Sequence, residues 1–306
     1  MYFLIIAISI VVILLLASYI SFYMAFYVPK RKAPTDEFQF PEGAVYEPHH
    51  EKMLSFMKET RETPSISAEI TSFDGLKLKA KYYEFSPDAP IELLLHGYRG
   101  TSERDLCGAV QRCFKLGHSA FIVDHRASGE SEGNIISFGV NESKDCLLWI
   151  DYILNNINKD SKIILAGISM GASTAMITAG YDLPDNVIGV VADCGFTSAK
   201  DIIKKVIRDL KLPANILYPF VKLGALIYGG FKLESVSSIE AMKKCKIPVI
   251  FFHGKTDDFV PCYMSEQNYE ACISKKQLIL TENTGHGLCY IIEPDLYIKS
   301  LDEFFN

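Results

Sequence analysis

The sequence predicts an α/β protein whose mostly parallel sheet of about eight strands is flanked by helices. Short continuous apolar runs such as Ile163-Ile164-Leu165-Ala166 suit strands buried on both faces. They alternate with stretches of helical periodicity, as where Leu147, Ile150, Ile153, Leu154 and Ile157 lay one stripe between two such runs. With 306 residues, 49% of them hydrophobic, the chain is long enough for one large core and an appendage.

The first segment is unlike the rest. Tyr2 to Pro29 contains no charged side chain, and a helix of that length spans roughly 40 Å, more than the ~30 Å hydrocarbon core requires. Residues 1–29 are therefore expected to be a single-pass transmembrane anchor. Tyr19, Phe22, Tyr23, Phe26 and Tyr27 crowd its C-terminal end, followed by Lys30, Arg31 and Lys32. A cleaved signal peptide fits less well, because a basic n-region and an A-x-A-like site are both missing. The positive flank favours a cytoplasm-facing domain at the cell membrane. The eight cysteines point the same way, since they are scattered through apolar runs with no C-x-x-C pair and read as free thiols.

Residues 30–65 carry Pro34, Pro41, Pro48 and Pro64 among polar side chains and read as a juxtamembrane connector with a short helix near 49–60. The globular domain is expected over 66–306. Alternation at 67–72 and 76–82 about Asp74-Gly75 makes an antiparallel hairpin. Strands then follow at 91–95, 119–123, 162–166, 187–192, 247–252 and 277–281. Helices are expected near 103–116, 140–157, 170–180, 263–273 and 287–304. About fifty residues separate Asp193 from Ile247, far more than an ordinary connection. This apolar insert, punctuated by Pro213, Pro219 and Gly229-Gly230, is expected to be a small helical cap at about 197–245, either a self-packed subdomain or a lid over an acyl pocket.

The formal net charge is −6, and no basic run is longer than Lys30-Arg31-Lys32, which excludes a row of phosphate contacts with nucleic acid. His49-His50, His118, His125 and His253 form no metal-like cluster, so neither metal nor cofactor is expected.

Gly167-Ile168-Ser169-Met170-Gly171 satisfies G-x-S-x-G between a buried strand and a small-residue helix. There a serine sits on a strained turn, and side chains at 167 and 171 would collide with neighbouring backbone. A nucleophilic serine needs a base, and His286 in Thr284-Gly285-His286-Gly287 follows the last strand. The base needs a carboxylate. Asp257 lies just beyond Pro248-Val249-Ile250-Phe251-Phe252, with Asp258 and Asp193 as alternatives. Leu95-His96-Gly97-Tyr98 supplies a glycine turn after a strand, so the Tyr98 and Met170 amides are the expected oxyanion donors, with His96 orienting the loop. Asp124, Arg126, Ser128 and Ser131 read as a structural polar turn.

Together with Asp124-His125-Arg126-Ala127-Ser128-Gly129-Glu130-Ser131 and Asp193-Cys194-Gly195-Phe196, these motifs resemble the α/β-hydrolase superfamily over about residues 66–306. More narrowly, they resemble membrane-anchored bacterial prolyl-oligopeptidase-like and BEM46-like serine hydrolases. One departure is Ala127, where relatives often carry glycine. The resemblance implies esterase, thioesterase, lipase or aminopeptidase chemistry. With an anchor and an apolar cap, a small-molecule or lipid-like acyl ester is the expected substrate, hydrolysed through a Ser-His-Asp triad. A peptidase, with Glu234 and Glu240 as the only acids well inside the cap, and a non-catalytic scaffold are the rivals.

Overall fold

The computed structural model describes residues 1–29 and 37–305, so the basic flank Lys30, Arg31 and Lys32, and Pro34, lie outside the described residues. Alternating strands β1 (Ile66–Thr71) and β2 (Lys77–Tyr83) pair antiparallel, and Gly75 supplies the positive φ, 89°, of the turn between them. β2 passes antiparallel onto β4 (Ser119–Val123). From there every pairing is parallel, through β3 (Ile91–Leu95), β5 (Ile163–Ile168), β6 (Val187–Asp193), β7 (Val249–Gly254) and β8 (Lys276–Thr281). The sheet order is β1-β2-β4-β3-β5-β6-β7-β8.

Because β3 to β7 are buried on both faces, the sheet carries two cores. Trp149 and Cys146 of α5 (Glu142–Asn156) and Ala172, Ala175 and Met176 of α6 (Met170–Thr178) cover one face. The other face is covered by Met53 and Met57 of α2 (His50–Glu62), then by Val110, Tyr297 and Phe304. Two expected helices are each interrupted. Residues 103–116 divide into α3 (Ser102–Asp105) and α4 (Ala109–Lys115) at Gly108, whose φ of 83° no helix continues through, and residues 287–304 give α11 (Cys289–Ile292) and α12 (Pro294–Phe305), parted by Pro294. The insert after β6 forms α7 (Ala199–Asp209), α8 (Ala214–Ile227) and α9 (Ser238–Met242), and α10 (Tyr263–Ala271) lies between β7 and β8.

A third apolar cluster joins this cap to the first segment. The apolar helix α1 (Tyr2–Ala25) is long enough to cross a membrane, yet Phe22 and Phe26 are buried against Tyr218, Val221, Ala225 and Phe231 of the cap. Close approach is possible because residue 224 is glycine: a Cβ there would come within 2.5 Å of the Ser18 carbonyl oxygen. Beyond α1 the chain bridges the main domain, with Val28 N–H donating to Asn134 O at 2.8 Å and Ile136 N–H donating to Phe26 O at 2.9 Å.

Phe26 is wholly buried, with its ring edge-on to Phe138 and Phe231. Phe26→Ala is expected to cost about 3 kcal/mol and to lower the thermal midpoint of the full chain in detergent. An unchanged midpoint would show that α1 is only a tether.

Candidate active site

The strand-turn-helix at 167–171 is built by close backbone approach. A Cβ on Gly171 would overlap the Leu95 carbonyl at the end of β3, and one on Gly167 would overlap the Gly171 carbonyl. Ser169 is thereby held at φ 56°, ψ −119°, a conformation costly for a side-chain-bearing residue, with its N–H bonded to Asp193 O at 2.8 Å. Its hydroxyl stands at the N-terminus of α6, where developing negative charge is favoured.

Asp257 and His286 are brought together from the loops after β7 and β8. His286 Nδ1 lies 2.6 Å from Asp257 Oδ2. Asp257 Oδ1 accepts the backbone N–H groups of Phe259 and Val260 at 3.0 and 2.8 Å. Its Oδ2 has a second partner that the sequence did not announce: His253 Nε2, at 3.1 Å. That nitrogen also faces the Val260 carbonyl at 2.8 Å, which can only accept, so it carries the proton, and Nδ1 accepts from Ser265 Oγ at 2.6 Å. Burial raises the Asp257 pKa, but the hydrogen bonds from His253 and His286 outweigh it and hold the carboxyl at about 2. The alternatives sit differently. Asp258 is exposed. Asp193 is buried, with Oδ1 unpartnered among the described residues, and desolvation pushes it up to about 6.

His286 Nε2 faces Cys194 Sγ at 4.0 Å, and no hydrogen bond joins it to Ser169 Oγ among the described residues. Cys194 follows β6 at φ 47°, and burial holds its thiol well above the ordinary range. Its sulfur, an Asp257 oxygen and a His286 nitrogen lie within 4.8 Å of one another. Metal binding fits this set poorly, because four N–H donors already occupy the Asp257 carboxylate.

The expected oxyanion donors lie at the ends of two facing elements. The Tyr98 and Met170 amides have no hydrogen-bond acceptor among the described residues. His96 props their loop: Nδ1 donates to Gly97 O at 2.8 Å and Nε2 accepts from His125 N–H at 3.0 Å. The same loop grips the end of α1, through Tyr98 Oη to Ala25 O at 2.8 Å and Arg99 to Met24 O and Tyr27 O at 2.9 and 3.0 Å. The turn at 124–131 is held within itself by Ser131 Oγ donating to Asp124 O at 2.7 Å and tied outward by Arg126 to Asp145 at 2.7 Å and Asp74 at 2.8 Å, and Ala127 takes the positive φ, 63°, that glycine would adopt more cheaply.

A cavity of about 920 Å³ opens on Ser169, His286 and Tyr98. Its walls come from Pro41–Tyr46, from Met53 of α2, and from Leu106, Ala109, Leu288 and Ile291; no cap residue from 197 to 245 is among them. Residues 41–46, ahead of the hairpin, form part of the cavity wall, and Tyr46 Oη donates to the His286 carbonyl at 3.0 Å.

An Asp257 carboxyl held at about 2 against an ordinary 3.8 stabilises the fold where it is ionised. That contribution is complete above about pH 4 and is lost as pH falls through about 2. Asp257→Asn should flatten this part of the acid limb in denaturant titrations; a limb with the parent's slope would contradict the assignment.

Comparison with known proteins agrees with this geometry. A family model described as alpha/beta hydrolase fold matches residues 93–225, and one described as serine hydrolase (FSH1) matches 202–288. The uncharacterized protein YqkD of Bacillus subtilis is 32% identical over 192 residues, 62% of this chain and 63% of that protein. Protein bem46 of Schizosaccharomyces pombe is 28% identical over 181 residues, 58% of this chain and 54% of its own. The chain thus spans less than two thirds of either relative's length. The solved esterase Pf2001 of Pyrococcus furiosus shares the fold, with a TM-score of 0.67 at 22% identity over 91% of this chain and 97% of that one. An eight-stranded sheet in this order, two matching family models and the likeness to bem46 lead to one conclusion: the chain has the α/β-hydrolase fold and is similar to the BEM46-like members of that superfamily.

Proposed function

We propose that this hydrolase cleaves carboxylic esters of acyl substrates through an acyl-enzyme on Ser169. The observation that carries the reading is a strained Ser169, His286 paired with Asp257 at 2.6 Å, and Tyr98 with its unsatisfied amide, all meeting at one cavity. In this mechanism the imidazole of His286 turns from Cys194 toward Ser169 and takes its proton as Oγ attacks the ester carbonyl. Asp257 holds the tautomer and balances the imidazolium, while the Tyr98 and Met170 amides receive the oxyanion. His286 then protonates the departing alcohol, and a water deprotonated by the same nitrogen releases the acid.

A cavity of about 920 Å³, with Met53, Leu94, Leu106, Leu288 and Ile291 among its walls beside charged groups such as Arg104 and Asp105, has room for an acyl chain of some length. In the proposed organisation residues 1–29 anchor the chain in the cell membrane, 30–65 connect, and 66–306 form the catalytic domain with its cap at 197–245, facing the cytoplasm. The peptidase alternative loses its footing on the acids of the cap: Glu234 is engaged by Tyr218 and Lys222 at 2.8 Å each and Glu240 by Lys243 at 2.6 Å, and neither lines the cavity.

Ser169→Ala in the full chain should abolish fluorophosphonate labelling and lower kcat on p-nitrophenyl esters by about 10⁴-fold or more. With the parent enzyme, kcat/KM should rise from acetate toward medium-chain esters. Labelling that survives the substitution would contradict the nucleophile, and a profile falling steadily from acetate would contradict the acyl substrate.

A further inference from the structure

We propose that α8 is a second membrane element, one that does not span but lies half-sunk in the leaflet beside the C-terminal half of α1, with the cap resting on anionic headgroups. The proposal rests on the reading of α1 as a spanning helix. Its own grounds are the contact between the two helices, the pattern of α8, and the charge of the cap.

The contact fixes depth. Tyr228 Oη, just past the end of α8, donates to the Leu15 carbonyl at 3.1 Å; the Tyr228 ring meets Tyr19 edge-on at 5.2 Å, and Gly224 seats against Ser18 and Phe22. Rising residue numbers in α8 therefore meet falling numbers in α1, and α8 points inward along the anchor. Tyr23 near the end of α1 and Tyr27 just past it mark the headgroup level. Arg99, which donates to Met24 O and Tyr27 O, lies at that level too. Leu15 is roughly 12 Å deeper than Tyr23 at 1.5 Å per residue, and counting about twenty residues of core back from Ala25 takes in every α1 residue that α8 touches.

The pattern of α8 matches that depth. Ala214, Tyr218, Val221 and Ala225 are buried. A second stripe at helical spacing, Ile216, Pro219, Leu223, Leu226 and Ile227, faces outward, with Ile216 at 64%, Leu226 at 50% and Ile227 at 47% exposure. In water such a stripe is unfavourable; in acyl chains it is solvated. The cap around it holds nine Lys or Arg against four Asp or Glu, a net +5 in a chain of net −6. Lys200, Arg208, Lys211 and Lys232 of that set make no salt bridge among the described residues. A basic surface around an apolar helix fits an anionic leaflet. With Tyr98 and Arg99 tied to the end of α1, the cavity then opens at headgroup level, where a leaflet amphiphile enters without crossing water.

The test places tryptophan in the full chain, reconstituted in vesicles of phosphatidylglycerol and phosphatidylcholine brominated at mid-chain. Leu226→Trp and Ile216→Trp should be strongly quenched, whereas Ile66→Trp, on edge strand β1 and 60% exposed, should not be. Quenching of Leu4→Trp on α1 without quenching of Leu226→Trp would overturn the inference and leave the anchor standing; quenching of neither would overturn both. This readout is independent of catalysis, so a failed esterase reading leaves it intact. In the enzyme assay, Leu226→Ser with Ile227→Ser should keep turnover of p-nitrophenyl acetate and lose about tenfold on a long-chain ester held in the same vesicles. Equal retention on both substrates would count against it.

Discussion

The close meeting of three backbones at the head of the sheet sets everything else in place. Gly171 of α6 lies on the carbonyl of Leu95, Gly167 of β5 lies under Gly171, and neither contact leaves room for a Cβ. Ser169 is held in its strained conformation because the ends of β3 and β5 and the start of α6 over-determine it. The same meeting puts Tyr98, three residues past the end of β3, opposite Met170, the first residue of α6. The proposed nucleophile and the proposed oxyanion donors are in this way one structural unit, and the His286–Asp257 pair is delivered to it from two neighbouring strand ends.

Support for that pair extends beyond the two residues. The Asp257 carboxylate accepts from two backbone amides and two imidazoles, so it stays ionised although buried. Such an acid is suited to stabilising a neighbouring imidazolium without taking its proton. The other imidazole, His253, is fixed between Ser265, Val260 and Asp257 and serves as a positioning residue. On the opposite side the loop of Tyr98 and Arg99 is pinned to the last carbonyls of α1. The helix α1 and the site are mechanically joined, and the cap forms a common core with α1 instead of roofing the cavity.

The sequence made the sheet, the cap insert and the Gly167–Gly171 turn legible, because each is written in local spacing. Continuous apolar runs give buried strands, and glycines four apart around a serine have a direct steric meaning. Interruptions at Gly108 and Pro294 were less visible, since the apolar periodicity on either side continues through them. What could not be read depends on contacts between distant segments. Cys194 meets His286 across 92 residues, and nothing near either announces it. The place of His253 beside Asp257 is not written in its spacing, because its partners come from α10 and the loop after β7. The docking of α1 on α8 was hidden for a different reason: a helix apolar all round has no stripe to show which side meets protein.

The resting geometry sharpens the central chemical claim, since the base's free nitrogen faces a cysteine while the strained turn presents a serine. The direct measurement is to quench the full chain with acid during turnover of a p-nitrophenyl ester and locate the trapped acyl group by peptide mass spectrometry. An acyl-enzyme on Ser169 leaves one acyl group per chain on the peptide carrying that serine. An acyl group on Cys194, or no covalent intermediate during measurable turnover, would contradict it.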